Sequence, residues 1–207
     1  TIKKLTSYRT DKAGLFPPPE SLTYTDLFEP DEWFNRAVES AEEAERLLYR
    51  LAELNTEAAR IESEISSLEP WQAYDLPLQF DSTRQTHVVF GTFPSTADLD
   101  EVESKIAQNI EGFHIERVGA DNNAHYTAVF FHIDDDADML AMLSQNGFVK
   151  LELSVYTGTA REASEKLTGE LQNAKSETEV VKARLAQLAG SLPDMKRACD
   201  IMRSKAA

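Results

Sequence analysis

The 207-residue chain carries 21 basic and 36 acidic side chains, a formal net charge of −15, and 42% of its residues are apolar. This composition is typical of a folded protein and excludes a disordered chain. So acidic a chain repels nucleic-acid phosphates, and we expect no nucleic-acid partner. The single cysteine, Cys199, excludes an internal disulfide and fits a reducing compartment.

The first 31 residues contain four of the eight prolines and little periodicity. This predicts an extended lead-in, packed at Leu15, Phe16 and Phe28. The chain begins at Thr1 rather than at methionine, so we expect a segment of a longer protein. No apolar run approaches the ~20 residues that a membrane helix needs, so this segment is not expected to enter a membrane.

A seven-residue repeat of apolar residues begins after Glu32. Two series, three positions apart, form it: Ala37, Ala44, Leu51, Ala58 and Ile65, and Leu47, Leu54, Ile61 and Leu68. A second segment, residues 159–207, repeats in the same way: Leu171, Thr178, Leu185, Leu192 and Cys199, and Ala174, Val181, Leu188, Met195 and Met202. Such a repeat is typical of coiled-coil helices.

Each predicted helix has a narrow apolar stripe, and the chain leaves the first near Leu68 and returns near Thr159. We therefore predict that the two pair with each other in antiparallel orientation. The seam of this coiled coil comprises Leu47, Leu51, Leu54, Ile61, Ile65, Leu171, Val181, Leu185 and Leu188. The alternative is a bundle with further helices, but no other segment is helical enough to supply them. Pro193 predicts a kink, with the heptad phase continuing across it and Ser191 available as a cap.

The insert between the helices, residues 70–158, differs from them in pattern. Pro70 disfavours helical geometry at Glu69 and donates no amide hydrogen, so the first helix should end there. Bulky apolar residues follow within a short stretch: Trp71, Tyr74, Leu76, Leu78 and Phe80. We expect Trp71 and Tyr74 to lie in the core where the helix meets a globular lobe.

Four strand-like and two helical patterns follow this junction. In chain order they are a strand over 86–93, a helix over 97–109, strands over 113–118 and 124–133, a helix capped by residues 134–136, and a strand over 148–155. Ser95 or Thr96 is the expected cap of the first helix. The order β-α-β-β-α-β is that of a ferredoxin-like fold. The predicted fold class is therefore α+β, a long antiparallel two-helix coiled coil capped by a ferredoxin-like lobe.

The strand patterns agree with this topology, in which the first and third strands are central. Both are apolar on two faces, at 88–90 and 129–131, whereas the second and fourth alternate apolar residues with polar ones. These polar residues, on edge strands that a neighbouring chain can approach, form the candidate partner surface: His114, Glu116, Lys150 and Glu152. The alternative is that they are simply solvated.

Catalytic and metal-binding patterns are weak. The aspartates at 134–136 and 138 lack the glycine and distal glutamate of a calcium loop, and helix capping explains them better. The spacings of His87, His114, His125 and His132 match no zinc motif. Cys199 occupies a seam position, which predicts a buried, inert thiol. With no nucleophile motif, we expect no enzyme activity, cofactor or metal.

The junction carries a resemblance to a known family. Its residues are Leu68, Pro70, Trp71, Asp75, Leu76, Thr83 and the strand ending Phe90-Gly91. With this motif between two coiled-coil helices, residues 32–205 resemble the cytoplasmic N-terminal half of subunit I of V-type (archaeal/bacterial) ATP synthases, the counterpart of eukaryotic subunit a. In that family a similar helix ends in a Pro-Trp step, followed by an aspartate-bearing apolar stretch and a strand with a glycine.

The resemblance implies a non-catalytic stator segment with four parts: a lead-in (1–31), a first helix (32–69), a distal lobe (70–158) and a second helix (159–207). It implies that the lobe docks a peripheral-stalk heterodimer of E- and G-type subunits, among other rotary ATPase subunits, at the cytoplasmic face of a membrane. The arm would keep the membrane part from turning while the complex transports protons or sodium. Two alternatives stay open: a small-molecule sensor lobe on a coiled-coil arm, and a generic coiled-coil dimerisation module.

Overall fold

The computed structural model describes residues 2–8, 32–80 and 82–206, so the predicted contacts of Leu15, Phe16 and Phe28 lie outside the described residues. The chain forms two compact units, Thr1–Arg60 with Leu171–Ala207, and Ile61–Glu170. Both boundaries between the units fall inside long helices. The boundaries proposed from the sequence, at residues 70 and 158, stay a prediction.

The first unit is helical. Its helices are α1 (Ile2–Leu5) and parts of α2 (Glu32–Leu68) and α5 (Ala160–Ala189), together with α6 (Leu192–Ala206). The sequence predicted an extended lead-in, but residues 2–8 are helical: α1 is followed directly by a 3₁₀ turn, Thr6–Tyr8. Leu5 is fully buried in the core of this unit. Burying that leucine stabilises the short helix, which would be marginal alone.

Helices α2 and α5 pair in antiparallel orientation, as predicted. The guanidinium of Arg50 donates to both carboxylate oxygens of Glu177, at 2.7 and 3.0 Å. Arg184 binds Glu43 in the same bidentate way, at 2.7 and 2.9 Å. Seven residues forward in α2 therefore correspond to seven residues back in α5. This spacing is the heptad repeat of an antiparallel coiled coil.

The predicted seam residues lie largely between the helices. Within the first unit a shared buried cluster holds Leu51, Leu54, Val181, Leu185 and Leu188. Leu47 packs against that cluster while half-buried, and Leu171 is also half-buried. In the second unit Ile61 is buried and Ile65 half-buried.

The heptad phase continues across Pro193 as predicted, since Leu192 and Met195 are buried, but it shifts by one residue in the last turns of the second helix. The chain leaves helical geometry at Gly190 and Ser191, and Pro193 falls in the first turn of α6, where its missing N–H costs nothing. After the break the buried face carries Leu192, Met195, Ala198 and Ile201, so the shift of one residue falls after Met195. The predicted seam residue Met202 is therefore exposed, and Cys199 is half-buried rather than buried.

The second unit contains a four-stranded antiparallel sheet. The strands are β1 (Thr86–Pro94), β2 (His114–Ala120), β3 (Ala124–His132) and β4 (Val149–Leu151), and the helices are α3 (Leu99–Ile106) and α4 (Asp136–Gln145). The strand order β2-β3-β1-β4 is that of a ferredoxin-like fold, with the predicted central and edge strands. Val89 of β1 lies opposite Val129 of β3, which lies opposite Ile115 of β2.

These three side chains face helices α3 and α4, and together they form the core of the lobe. The helical contribution consists of Leu99, Val102, Ile106, Met139 and Leu143. Because side chains alternate along a strand, Phe90 points to the opposite face of the sheet. On that second face Phe90 is contacted by Trp71 and Tyr74 of the junction segment, which begins with a 3₁₀ turn, Glu69–Trp71.

Several local predictions are corrected by hydrogen bonds. The cap of α3 is Asp98, whose carboxylate accepts from the amides of Asp100 and Glu101, and neither Ser95 nor Thr96. A 3₁₀ turn, Ile133–Asp135, precedes α4, and the ring of His132 caps it by accepting from the amide of Asp134. Asp135 stands at the cap position of α4 but makes no side-chain cap bond.

Two strands differ from their predicted bounds by more than one residue at an end. β2 extends two residues further than predicted, because a bulge between Arg117 and Gly119 lets pairing with β3 resume. β4 pairs only at Val149–Leu151 rather than over 148–155, because the chain turns at Leu153, whose carbonyl accepts from Tyr156. The apolar alternation of this segment therefore reflects burial of Phe148 and Leu153 rather than a long strand.

Candidate interaction site

The junction residues cover the face of the sheet that the helices leave open. Trp71 is fully buried, and its ring meets Phe90 and Tyr126 edge-on, with centroids 5.6 and 5.9 Å away. Tyr74 is buried against Phe90 in the same way, at 5.4 Å. Such T-shaped contacts add to the stabilisation from burial alone. Both aromatic residues thus lie in the core of the lobe, as predicted.

Pro70 brings the backbone close to strand β2. A Cβ placed on Gly119 would lie 3.1 Å from the Pro70 carbonyl oxygen, so a glycine accommodates this approach. The segment after Tyr74 carries several exposed side chains. Asp75 is exposed, and Leu76 and Phe80 remain 50% and 57% exposed although the sequence placed them among the apolar junction residues. Leu78, between Leu76 and Phe80, is fully buried, so the junction after Tyr74 combines open and buried positions.

An open groove of about 310 Å³ lies between this segment and the edge of the sheet. We call it the β2-edge groove; its lining residues are Ala73, Tyr74, Asp75, Leu76, Glu116, Arg117, Val118 and Phe130. Tyr74, Leu76, Val118 and Phe130 provide apolar walls, and Asp75 and Glu116 provide carboxylates. The groove thus combines exposed apolar surface with acidic groups.

The ionic contacts of the groove leave it acidic. Arg117 directs its guanidinium to α3, where it donates to Asp100 and, at 2.8 Å, to Glu103. Asp75 makes no ion pair within residues 32–80 and 82–206. Glu116 lies 3.1 Å from the ring of His114, which counts as a charged partner only when the imidazole is protonated.

The carboxylate of Glu116 also acts on Tyr74. Burial of the phenol, together with the negative charge of Glu116, raises the pKa of Tyr74 to about 12. Its hydroxyl therefore stays protonated at neutral pH and remains a hydrogen-bond donor.

The structure does not bring all four candidate surface residues together. His114 and Glu116 belong to β2 at one edge of the sheet, whereas β4 forms the other edge. There Lys150 and Glu152 pair with each other at 3.3 Å. The residues that join Glu116 at the groove are instead Asp75, predicted as a junction residue, and the apolar Val118 and Phe130.

Sequence reasoning missed Val118 and Phe130 as surface residues. From the sequence, Phe130 resembles an ordinary core residue, because it lies between Val129 and Phe131 in the apolar run of a predicted central strand. The available signal was the apolar character of β3 on both faces, which requires a second covering layer; Trp71 and Tyr74 of the junction segment supply part of it. Val118 became accessible through the bulge in β2, which has no sequence signature here.

The histidines and aspartates form contacts of a structural kind. The ring of His87 lies 2.5 Å from the carboxylate of Asp136, and that of His125 lies 3.2 Å from the carbonyl oxygen of Ser95. His132 accepts from the amide of Asp134 at 3.3 Å. Within the described part of the chain, no three His, Cys, Asp or Glu side chains are placed to hold a metal ion.

None of the described helices combines the length and the hydrophobicity that a membrane crossing requires.

Comparison with known proteins gives a structural likeness. No protein-family model matches the sequence, and no curated protein matches it. The fold is similar to that in the crystal structure of the cytoplasmic N-terminal domain of subunit I, homolog of subunit a, of V-ATPase, with a TM-score of 0.50 and 16% sequence identity. The alignment covers 99% of this chain and 77% of that chain. The chain therefore shares its α+β fold, long helices with a ferredoxin-like lobe, with that domain.

Proposed function

We propose that this chain is a non-catalytic stator segment of a rotary V-type ATPase or ATP synthase. The observation that supports this most is the likeness of fold to the subunit I domain, which extends over 99% of the chain. In this role the segment lies at the cytoplasmic face of a membrane and links the ion-translocating part of the complex to a peripheral stalk. It serves proton or sodium transport without carrying out ATP chemistry.

The helix pair suits a mechanical role. A stator element must carry torque without bending, and paired helices are stiffer than a flexible linker. In the first unit the pairing combines a continuous apolar seam with two bidentate Arg–Glu pairs, Arg50–Glu177 and Glu43–Arg184. These exposed pairs add little stability, but they discriminate against shifted registers.

The direct test is binding of the recombinant chain to a peripheral-stalk E/G heterodimer, measured by titration calorimetry. We expect association with a dissociation constant of about micromolar or tighter, since several moderate interfaces act together in such an assembly. No association at concentrations well above micromolar would contradict the proposal.

A lobe variant provides the control. Val129→Asp places a charge in the fully buried core of the lobe, and we expect it to abolish binding while most of the helical circular-dichroism signal is retained. Binding that survives loss of the folded lobe would show that the lobe is not the docking element.

A further inference from the structure

We propose that the β2-edge groove is a docking site for a basic amphipathic segment of a partner protein, one that presents an apolar side chain flanked by lysine or arginine. The groove is formed within the lobe, from the junction segment, β2 and one side chain of β3. It would therefore be present in the lobe whatever assembly the chain joins, and the proposal goes beyond the stator role.

The apolar part of the groove lacks a covering element among the described residues. Leu76 is 50% exposed at one wall, and Phe130 and Val118 are partly exposed on the sheet. Tyr74 closes the groove as a rigid aromatic wall, fixed by its contact with Phe90. An apolar side chain inserted here would remove these surfaces from water, and this is the main source of affinity in protein association.

The charge around the groove selects the partner. Asp75 and Glu116 line it, while the one basic residue of the lining, Arg117, is held by Asp100 and Glu103 of α3. The whole chain is strongly acidic, with a net charge of −15. An acidic segment or a nucleic acid would therefore be repelled, whereas a lysine or arginine beside the inserted side chain would pair with the two carboxylates.

The opposite edge of the sheet does not offer the same chemistry. At β4 the carboxylate of Glu152 is already paired with Lys150, and the cavity between β1 and the segment after β4 is only about 40 Å³. This contrast supplies a control surface on the same lobe.

The test uses the full chain and a fluorescent amphipathic peptide of leucine and lysine, with a leucine–glutamate peptide of equal length as the comparison probe. Affinity is measured by fluorescence anisotropy at near-physiological salt. The variant Asp75→Lys with Glu116→Lys should weaken binding of the basic peptide by at least about tenfold. The control Glu152→Lys with Glu165→Lys changes net charge equally at exposed positions, and should weaken it less than about threefold.

Leu76→Ser tests the apolar contact without altering charge, and should weaken binding several-fold. Amide chemical shifts of Leu76, Val118 and Phe130 should move on titration, whereas that of Val149 should not. Equal losses in the groove and control variants, or no binding of the basic peptide to the unmodified chain at millimolar concentration, would overturn the proposal. The stator role is tested with a stalk heterodimer, so either proposal can fail alone.

Discussion

Gly91 is the residue at which β1 tolerates no side chain. A Cβ there would overlap the ring of Phe148 and lie 2.5 Å from the carbonyl oxygen of Val149. Phe148 belongs to the core of the lobe and Val149 to strand β4, so neither can move freely. We expect Gly91→Ala to destabilise the chain by about 1–3 kcal/mol, measured by urea unfolding.

Gly169 offers the matched control, because nothing lies within 4 Å of a Cβ placed on it. It sits inside α5, where alanine has the higher helix propensity. Gly169→Ala should therefore leave stability unchanged or raise it by up to about 1 kcal/mol. A Gly91→Ala variant as stable as the unmodified chain would show that the ring of Phe148 does not occupy this position in solution.

From the raised pKa of Tyr74 we expect the chain to lose stability at alkaline pH. Because its pKa rises from 10.0 to about 12 on folding, the folded state holds the phenol proton more tightly than the unfolded state does. The resulting stabilisation is complete below about pH 10 and is lost as the pH rises toward 12. Tyr74→Phe removes this dependence, so its stability relative to the unmodified chain should increase across that window in urea titrations.

The exposed Tyr49 serves as the comparison for this experiment. At neutral pH, Tyr49→Phe should leave the free energy of unfolding within about 0.5 kcal/mol of that of the unmodified chain, because a surface substitution changes few contacts. A constant difference between Tyr74→Phe and the unmodified chain from neutral pH to pH 11 would contradict the buried environment of the phenol.

At the scale of elements, the residues that face the core shift by one position in the last turns of α6. Ile201 is fully buried, and its neighbour Met202 is 47% exposed, the reverse of the continuous heptad phase. Ile201→Ala should cost about 2–4 kcal/mol of unfolding free energy, whereas Met202→Ala should change it by less than about 1 kcal/mol. Thermal or urea unfolding of the two variants checks this prediction. Equal losses of unfolding free energy in the two variants would instead support an uninterrupted heptad repeat.

The elements themselves could largely be predicted from the sequence. The heptads of α2 and α5, the stop at Pro70 and the order of the lobe elements rest on periodicity, which is local and strong. The cap at Asp98, the bulge near Val118 and the shortness of β4 depend on tertiary contacts that no local pattern records. The groove followed the same division: Asp75, Glu116, Tyr74 and Leu76 were named from the sequence, and the walls formed by Val118 and Phe130 were not.

At the scale of the whole molecule, each of the two compact units contains a hydrophobic cluster made of its own residues. The lobe core lies entirely within Ile61–Glu170, so a fragment of those residues should fold alone, with a cooperative thermal transition by circular dichroism and dispersed amide resonances. A fragment without a cooperative transition would show that the lobe needs the first unit to fold.

The two Arg–Glu pairs also constrain how this chain can change length. Glu43 and Arg50 are seven residues apart, as are Glu177 and Arg184. Deleting seven residues from α2 alone would shift part of that helix by one heptad against α5. Glu43 and Arg50 could then not both keep their partners, Arg184 and Glu177. Matched deletions of seven residues in both helices would preserve each pairing. Relatives with a longer or shorter helix pair should therefore differ by paired steps of seven, one taken in each helix.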